Sequence, residues 1–377
     1  MMRSVDIDID ELFTEVRIGS LVLPNRFVMP AMQRRWVVDG APAPLLGAYY
    51  RRRAEGGVAL IIGESAAIDH PSSTQNEHFA RLTPDTVEAW RSCVTPVAEA
   101  GGHILLQLLH EGSTRAEGGS SAWSRHETVS PSGLVGAGRR AGRALELHEI
   151  AEIRDAYIRS ARLAQDAGAD GVEVHGAHGF LLDQFLWSET NLRDDEYGGA
   201  DIRARARFPA EVVRGIRAAC GPDFAISFRF SQWKTVDYAA RIVESPEELA
   251  ELCEVMRDAG VDAFHVSTRR FWQPEWPDSD LSLAGWTKKV SGVPTIAVGS
   301  VGLSNTVSDS FAGEETQAEL ETGIRLLAER FGRGDFDLVS VGRSLISDAD
   351  WVLKVQEGRL DDIRGFTRAD LRRADDY

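Results

Sequence analysis

Two histidines three residues apart, His175-Gly-Ala-His178, follow directly on the apolar stretch Gly-Val-Glu-Val at 171–174. Such a pair at the end of a strand presents two ring N–H groups to one small volume. Two donors that converge on a single oxygen can polarise a carbonyl or nitro group. A metal site is a second reading. It needs a third ligand of similar placement, and the neighbouring sequence offers none clearly. A third reading makes one histidine a tie for its own loop.

The pair has to be positioned by its surroundings. Short β-rich runs alternate with longer amphipathic runs through the chain. The strands are expected at 26–32, 58–63, 103–108, 171–175, 224–230, 263–267, 294–299 and 337–342. Continuous apolar runs such as Val-Ala-Leu-Ile-Ile at 58–62 suit strands covered on both faces, as in a parallel sheet. Helical patterns lie at 44–56, 85–101, 147–168, 202–220, 246–260, 283–290, 315–331 and 349–357, several ending on glycine, the preferred residue past a helix C-terminus. Eight strand–helix units in order predict an α/β fold of one domain, 1–377, a single (β/α)8 TIM barrel. A doubly wound sheet is the alternative, but no Gly-x-Gly-x-x-Gly follows the first strand. Residues 12–25 read as an N-terminal β-hairpin that caps the barrel bottom.

The longest connections are 111–146, 176–201 and 267–282, after strands 3, 4 and 6. All follow strand C-terminal ends, the face on which barrel enzymes build their sites. Glycine-rich stretches at 118–121 and 133–138 suggest a flexible lid.

Composition narrows the partners. The 377 residues carry a formal charge of −16, from 42 basic and 58 acidic side chains. That disfavours nucleic acid and anionic membrane surfaces. No run of 18 apolar residues is present, so no membrane span is expected. The three cysteines, Cys93, Cys220 and Cys253, are scattered through helical patterns and form no CxxC, against disulfides, zinc or an iron–sulfur cluster. The acidic start without an apolar segment points to a cytoplasmic enzyme.

The segment His175-Gly-Ala-His178-Gly-Phe, with Asn191-Leu-Arg-Asp-Asp-Glu-Tyr197-Gly-Gly, resembles the old yellow enzyme family of FMN-dependent ene-reductases. Other stretches match in order along nearly the whole chain: Pro24-Asn-Arg-Phe-Val-Met-Pro-Ala-Met32, Gly63-Glu-Ser65, Gln107-Leu-Leu-His110, Ser227-Phe-Arg229, Gly299-Ser-Val-Gly302 and Val341-Gly-Arg343. The resemblance implies FMN as cofactor and NAD(P)H as reductant. It gives His175 and His178 the substrate oxygen, and Tyr197 a role in shaping its loop. It places Pro30, Ala31, Met32, Gln33 and Ser65 beside the flavin ring, Gln107 at its pyrimidine edge and Arg229 near N1 and O2. Ser300, Val301, Gly302, Gly342 and Arg343 become the phosphate site.

Elementary chemistry agrees with these roles. Glycines let backbone N–H groups approach a phosphate, and Arg343 adds charge-assisted hydrogen bonds. A guanidinium about 4 Å from a developing anion favours it by up to ~4 kcal/mol at an effective dielectric near 20. Plain tight turns and an ordinary Arg–carboxylate pair are the competing readings.

Two positions depart from the family pattern. Phe180 stands where relatives carry a Tyr that donates the proton to the substrate α-carbon, and Phe cannot donate. Gln33 replaces the usual Thr or Cys. Trp272 and Trp276, after the sixth strand, are candidates to wall an aromatic or cyclic enone substrate or to anchor their loop; Trp123 has the same two readings. The expected reaction passes hydride from NAD(P)H through flavin N5 to an activated C=C. Nitro reduction, or desaturation to an aromatic product, tolerates Phe180. A phosphate-binding barrel aldolase or isomerase with Lys234 as Schiff base is the rival from another class. A homo-oligomer is compatible with all of these.

Overall fold

The computed structural model describes residues 9–115, 126–306, 309 and 319–373. Eight parallel strands close a barrel: β1 (Phe27–Met29), β2 (Leu60–Ala67), β3 (His103–Leu109), β4 (Gly171–His178), β5 (Ala225–Lys234), β6 (Ala263–Ser267), β7 (Thr295–Val298) and β8 (Leu338–Ser340). β8 pairs with β1, which closes the ring. Helices α1 (Pro44–Glu55), α2 (Val87–Glu99), α3 (Leu147–Asp166), α4 (Arg207–Cys220), α5 (Pro246–Ala259), α6 (Leu283–Ser291), α7 (Leu320–Gly332) and α8 (Trp351–Gln356) follow the strands in order. The architecture is the TIM barrel that the alternating pattern predicts.

Side chains alternate across each strand. One set, including Leu106, Leu108, Val172, Val174, Ile226, Phe228 and Phe264, packs under the helices. The other fills the barrel interior: Val28, Leu60, Ile62, Leu105, Ala225, Ala263, Ile296 and Leu338 form a separate cluster with Ile18, Leu21 and Leu23. Those last three belong to the hairpin Val16–Ile18 and Leu21–Leu23, which plugs the lower end as expected. One step of two residues further along, the inward positions turn polar. Leu105 gives way to Gln107, Ala225 to Ser227 and Arg229, and Ala263 to His265 and Ser267. The core thus ends where the mouth begins.

Several boundaries differ from the sequence reading. β1 ends at Met29 because Pro30 has no N–H for the ladder. β2 runs on to Ala67 and β5 to Lys234, four residues past the expected ends. The expected helix at 202–220 is broken into Ile202–Arg205 and α4, since Pro209 has no N–H to return to Arg205. In the loop after β3, the 133–138 stretch is not a loose lid segment. It forms an antiparallel pair, Leu134–Gly136 with Arg139–Arg140, and buries Leu134. The 118–121 stretch and Trp123 lie outside the described residues. Cys93, Cys220 and Cys253 are buried in α2, α4 and α5 as free thiols.

Candidate active site

The histidine wall stands at the top of β4. His175 is buried, and its Nδ1 accepts the Ala177 N–H at 3.3 Å, which leaves the proton of the neutral ring on Nε2. Gly176 is required between them, because a Cβ there would lie 2.5 Å from the Phe228 ring. His178 takes a left-handed backbone, φ 65°, uncommon for a residue with a side chain. Its ring lies 5.1 Å from that of His175, nearly perpendicular. Three contacts hold it: Nε2 with the Ser267 hydroxyl at 2.7 Å, its own N–H on the Ser231 hydroxyl at 3.0 Å, and the Trp233 ring stacked at 4.5 Å. Trp233 is itself fixed, its Nε1 donating to the Ser267 carbonyl at 3.1 Å. Burial first, then the Arg229 charge, drives both imidazoles down, His175 to about 3. At neutral pH they are uncharged hydrogen-bond donors.

Phe180 stands edge-on to His175, ring centroids 4.9 Å apart. Its turn is clamped from below. The Gly179 N–H donates to Asp183 Oδ2 at 2.5 Å, and Asp183 Oδ1 takes Lys234 Nζ at 2.7 Å. Both side chains of that ion pair are fully buried. Lys234 is a structural cation locked under the Phe180 turn, which removes it as an amine nucleophile and the Schiff-base reading with it. Tyr197 also proves structural, donating to Glu211 at 3.0 Å, while Arg193 ties the same loop to the Pro131 and Leu145 carbonyls.

The floor of the mouth is a second layer. Gln107, Glu173 and Ser227 are side by side in register on β3, β4 and β5. Gln107 Nε2 donates to Glu173 Oε1 at 2.7 Å, and its Oε1 accepts the Ser65 hydroxyl. Glu173 Oε2 accepts Ser227 Oγ at 3.1 Å and pairs with His265 Nδ1 at 2.7 Å. Arg229 reaches Glu173 with Nη1 only at 3.9 Å. Burial alone would raise the Glu173 carboxyl, but His265, Arg229 and Gln107 outweigh it and hold the group ionised.

The third part lies at the ends of β7 and β8. Gly299 (φ 153°) and Gly302 (φ 65°) flank Ser300, itself at φ 53°. A Cβ on Gly299 would sit 2.8 Å from the Thr268 carbonyl oxygen. Val301 is buried, and the Ser300 hydroxyl donates to the Arg269 and Asn305 carbonyls. Arg343, just past Gly342, donates to Asn305 Oδ1 at 2.8 Å, to the Thr306 carbonyl at 3.1 Å and to the Asn305 carbonyl, with Ser300 Oγ at 3.4 Å. Pro30 and Met32 come within ordinary contact of the Gly342 side, and Gln33 Nε2 donates to the Ser65 carbonyl at 3.3 Å. Ala31 between them packs against the interior cluster.

The sequence candidates are therefore joined in an arc: Gly342, Pro30 and Met32, then Gln33, Ser65, Gln107, and through Glu173 to Arg229. Trp272 packs elsewhere. It meets Phe271 edge-on at 4.9 Å, lies under Arg270 at 5.6 Å, and its carbonyl takes Arg330. Trp276 likewise donates to the Glu244 carbonyl and meets Trp286. These are contacts of loop anchors; the tryptophan beside the histidines is Trp233. Trp36 and Tyr49 sit together under the Arg34 guanidinium. Sequence reasoning passed over Glu173, Ser267 and Trp233. For Glu173 a signal existed: an acid two residues before His175, on the inward face of an apolar strand.

The arc suits a flavin. Gln33 Oε1, Arg229 Nε and His265 Nε2 are buried and have no hydrogen-bond partner among the described residues. Buried polar atoms in that state ordinarily signal a ligand or water. A heteroaromatic ring edged with alternating donors and acceptors meets that need. Glycine turns beside Arg343 suit its phosphate.

Comparison with known proteins agrees. Residues 11–319 match the model of the NADH:flavin oxidoreductase / NADH oxidase family. An NADH oxidase of Thermoanaerobacter brockii is 36% identical over 94% of the chain, which spans only 52% of that relative's length. An NADPH dehydrogenase of Clostridium acetobutylicum is 30% identical, covering 91% of this chain and 94% of its own. Morphinone reductase solved with tetrahydroNAD superposes with a TM-score of 0.77 at 25% identity, over 97% of each chain. The chain belongs to the NADH:flavin oxidoreductase / NADH oxidase family, whose members are oxidoreductases that use FMN with NAD(P)H as reductant.

Proposed function

We propose that the chain passes hydride from NAD(P)H to an activated, enone-type C=C whose carbonyl oxygen is held by His175 and His178. The observation that carries this is the pair of uncharged imidazoles, 5.1 Å apart, at the top of β4 beside the Gln107–Glu173–Arg229 layer. Bound FMN supplies the hydride chemistry, accepting from NAD(P)H and delivering to the substrate. The protein supplies place and charge. His175 gives its Nε2–H to the oxygen. His178, braced by Ser267 and Trp233, gives a second donor. Together they stabilise the oxyanion that grows as the β-carbon accepts hydride. Because both are neutral, they stabilise without surrendering a proton. Gln107 and Arg229 would hold the cofactor's pyrimidine edge, Arg229 favouring negative charge there. Ser65, bonded to Gln107, and Gln33 beside it would line the adjoining edge, and Ser300, Gly302, Gly342 and Arg343 would take the phosphate. Trp233, stacked on His178, gives a flat wall suited to a cyclic or aromatic substrate.

The Phe180 ring on His175 favours a second reading at the same site. It has no hydroxyl to protonate the α-carbon, so nitro reduction, in which no carbon has to be protonated, places less demand on it. The test is anaerobic bleaching of the FMN band by NADH or NADPH, followed by reoxidation with 2-cyclohexenone, nitrobenzene or oxygen. Reoxidation by the enone, lost in His175→Ala, supports the first reading. Reoxidation by nitrobenzene alone supports the second. No bleaching by either nucleotide rejects both.

A further inference from the structure

Glu173 carries no role in the function derived above, yet it joins side chains of several strands at the barrel mouth. Its carboxylate is completely buried and is met by side chains from three other strands: Gln107 on β3, Ser227 and Arg229 on β5, and His265 on β6. Its three hydrogen bonds come from an amide, a hydroxyl and an imidazole. None comes from the guanidinium, which stays 3.9 Å away. A structural ion pair in this same molecule looks different: Lys234 sits on Asp183 at 2.7 Å and also donates to the Ser231 carbonyl. Arg229 keeps its distance, and its buried Nε has no partner among the described residues. The pair is incomplete as a stabilising contact and leaves guanidinium donors for something else.

Two consequences follow for whatever lies at the mouth. First, Gln107 cannot turn its amide freely. Nε2 is tied to Glu173 and Oε1 to Ser65, so the order of donor and acceptor is fixed before a cofactor arrives. Second, the positive field of Arg229 is partly cancelled by the negative charge of Glu173, itself anchored by Gln107, Ser227 and His265.

We propose that Glu173 is a positioning residue that lowers the FMN reduction potential, by locking the Gln107 amide and offsetting the Arg229 charge. The inference rests on the placement of the flavin pyrimidine edge at Gln107 and Arg229 proposed above. An offset cation stabilises the added negative charge of the reduced cofactor less. Reduced FMN then binds less tightly relative to oxidised FMN, and hydride leaves more readily for a substrate.

The experiment compares the Kd of oxidised and reduced FMN, with the two-electron potential of the holoprotein as a second measure. Glu173→Gln keeps the shape and removes the charge. It is expected to favour reduced FMN by about tenfold, a modest part of what a unit charge exerts over a few ångström at an effective dielectric near 20. That corresponds to a shift of about 30 mV upward for a two-electron couple. Glu173→Asp keeps the charge and should change the ratio by less than about threefold. Ser227→Ala removes a hydroxyl dipole that screens the carboxylate, so the ratio should move the other way, by about twofold. This small change also decides the matter if Glu173→Gln does not fold. Equal loss of both affinities with an unchanged ratio in Glu173→Gln, an Asp variant that shifts as far as Gln, or no downward shift in Ser227→Ala overturns the inference. Arg229→Met separates the two levels. If it disfavours reduced FMN while Glu173→Gln has no effect, only the role of Glu173 falls. If neither variant moves the ratio, the placement of the flavin falls as well.

Discussion

The two sides of the barrel mouth are built on different plans. On the β4–β5 side, side chains hold side chains: His178 on Ser267 and Trp233, Gln107 on Glu173, Lys234 on Asp183. On the β7–β8 side, the work is done by backbone: left-handed turns at Ser300 and Gly302, and an arginine whose donors go largely to carbonyl oxygens of the 305–306 segment. The first plan fixes direction, since each ring or amide has one orientation that satisfies it. The second makes room, since a phosphate needs close approach and many N–H groups more than one exact direction. Under the proposed function, recognition of a reacting carbonyl and retention of a phosphate would each fall to the material that suits it.

The contrast can be broken most severely from below the side-chain wall. Lys234→Met leaves Asp183 buried without its cation and should cost about 3–5 kcal/mol of stability. Urea unfolding checks this, and Lys234→Met/Asp183→Leu should recover part of the loss. A single variant as stable as the parent would show that the clamp does not support the wall. One step up, His175→Ala or His178→Ala should lower kcat/KM for an enone by about 10²–10³ each, the usual loss for one oxyanion donor, with FMN affinity unchanged. If flavin is lost instead, the wall serves the cofactor and the division between the two sides fails.

The backbone side is tested by Arg343→Ala. FMN should bind about a hundredfold more weakly, the worth of one strong charge-assisted contact, while riboflavin, which lacks the phosphate, should be almost indifferent. A smaller effect is expected from acid. Unfolded histidine takes a proton near pH 6.5, whereas buried His175 refuses it until about 3. The folded-state value is the lower one, so the unfolded chain binds more protons and stability falls as pH drops below about 6.5. At pH 5 this group alone costs about 2 kcal/mol. His175→Asn should therefore narrow the gap to the parent in thermal unfolding between pH 7 and 5.

Much of this was legible beforehand. Eight apolar runs separated by amphipathic ones are strong signals, because buried parallel strands tolerate few polar residues. The histidine pair stood out because two ring donors at a strand end have few structural uses. Glu173 did not stand out, since its meaning depends on Gln107, Ser227 and His265, which lie 54 or more positions away and are brought together only by strand register. Trp233 was overlooked for a different reason. Apolar content falls after Phe230, which in sequence marks the end of a strand, yet the backbone continues its ladder to Lys234. Trp272 drew attention by composition; a ring that large is as well used in fastening a loop.

The continuation of β5 past the barrel rim has an evolutionary edge. Trp233 and Lys234 are neighbours on an extended segment, so they face opposite ways: one stacks on His178 and the other dives beneath the Phe180 turn. Losing or gaining a single codon between Phe230 and Trp233 would swap them, sending a bare ammonium against His178 and an indole against a buried carboxylate. Drift in this stretch is confined to substitutions that respect parity, and insertions should be tolerated only after Lys234.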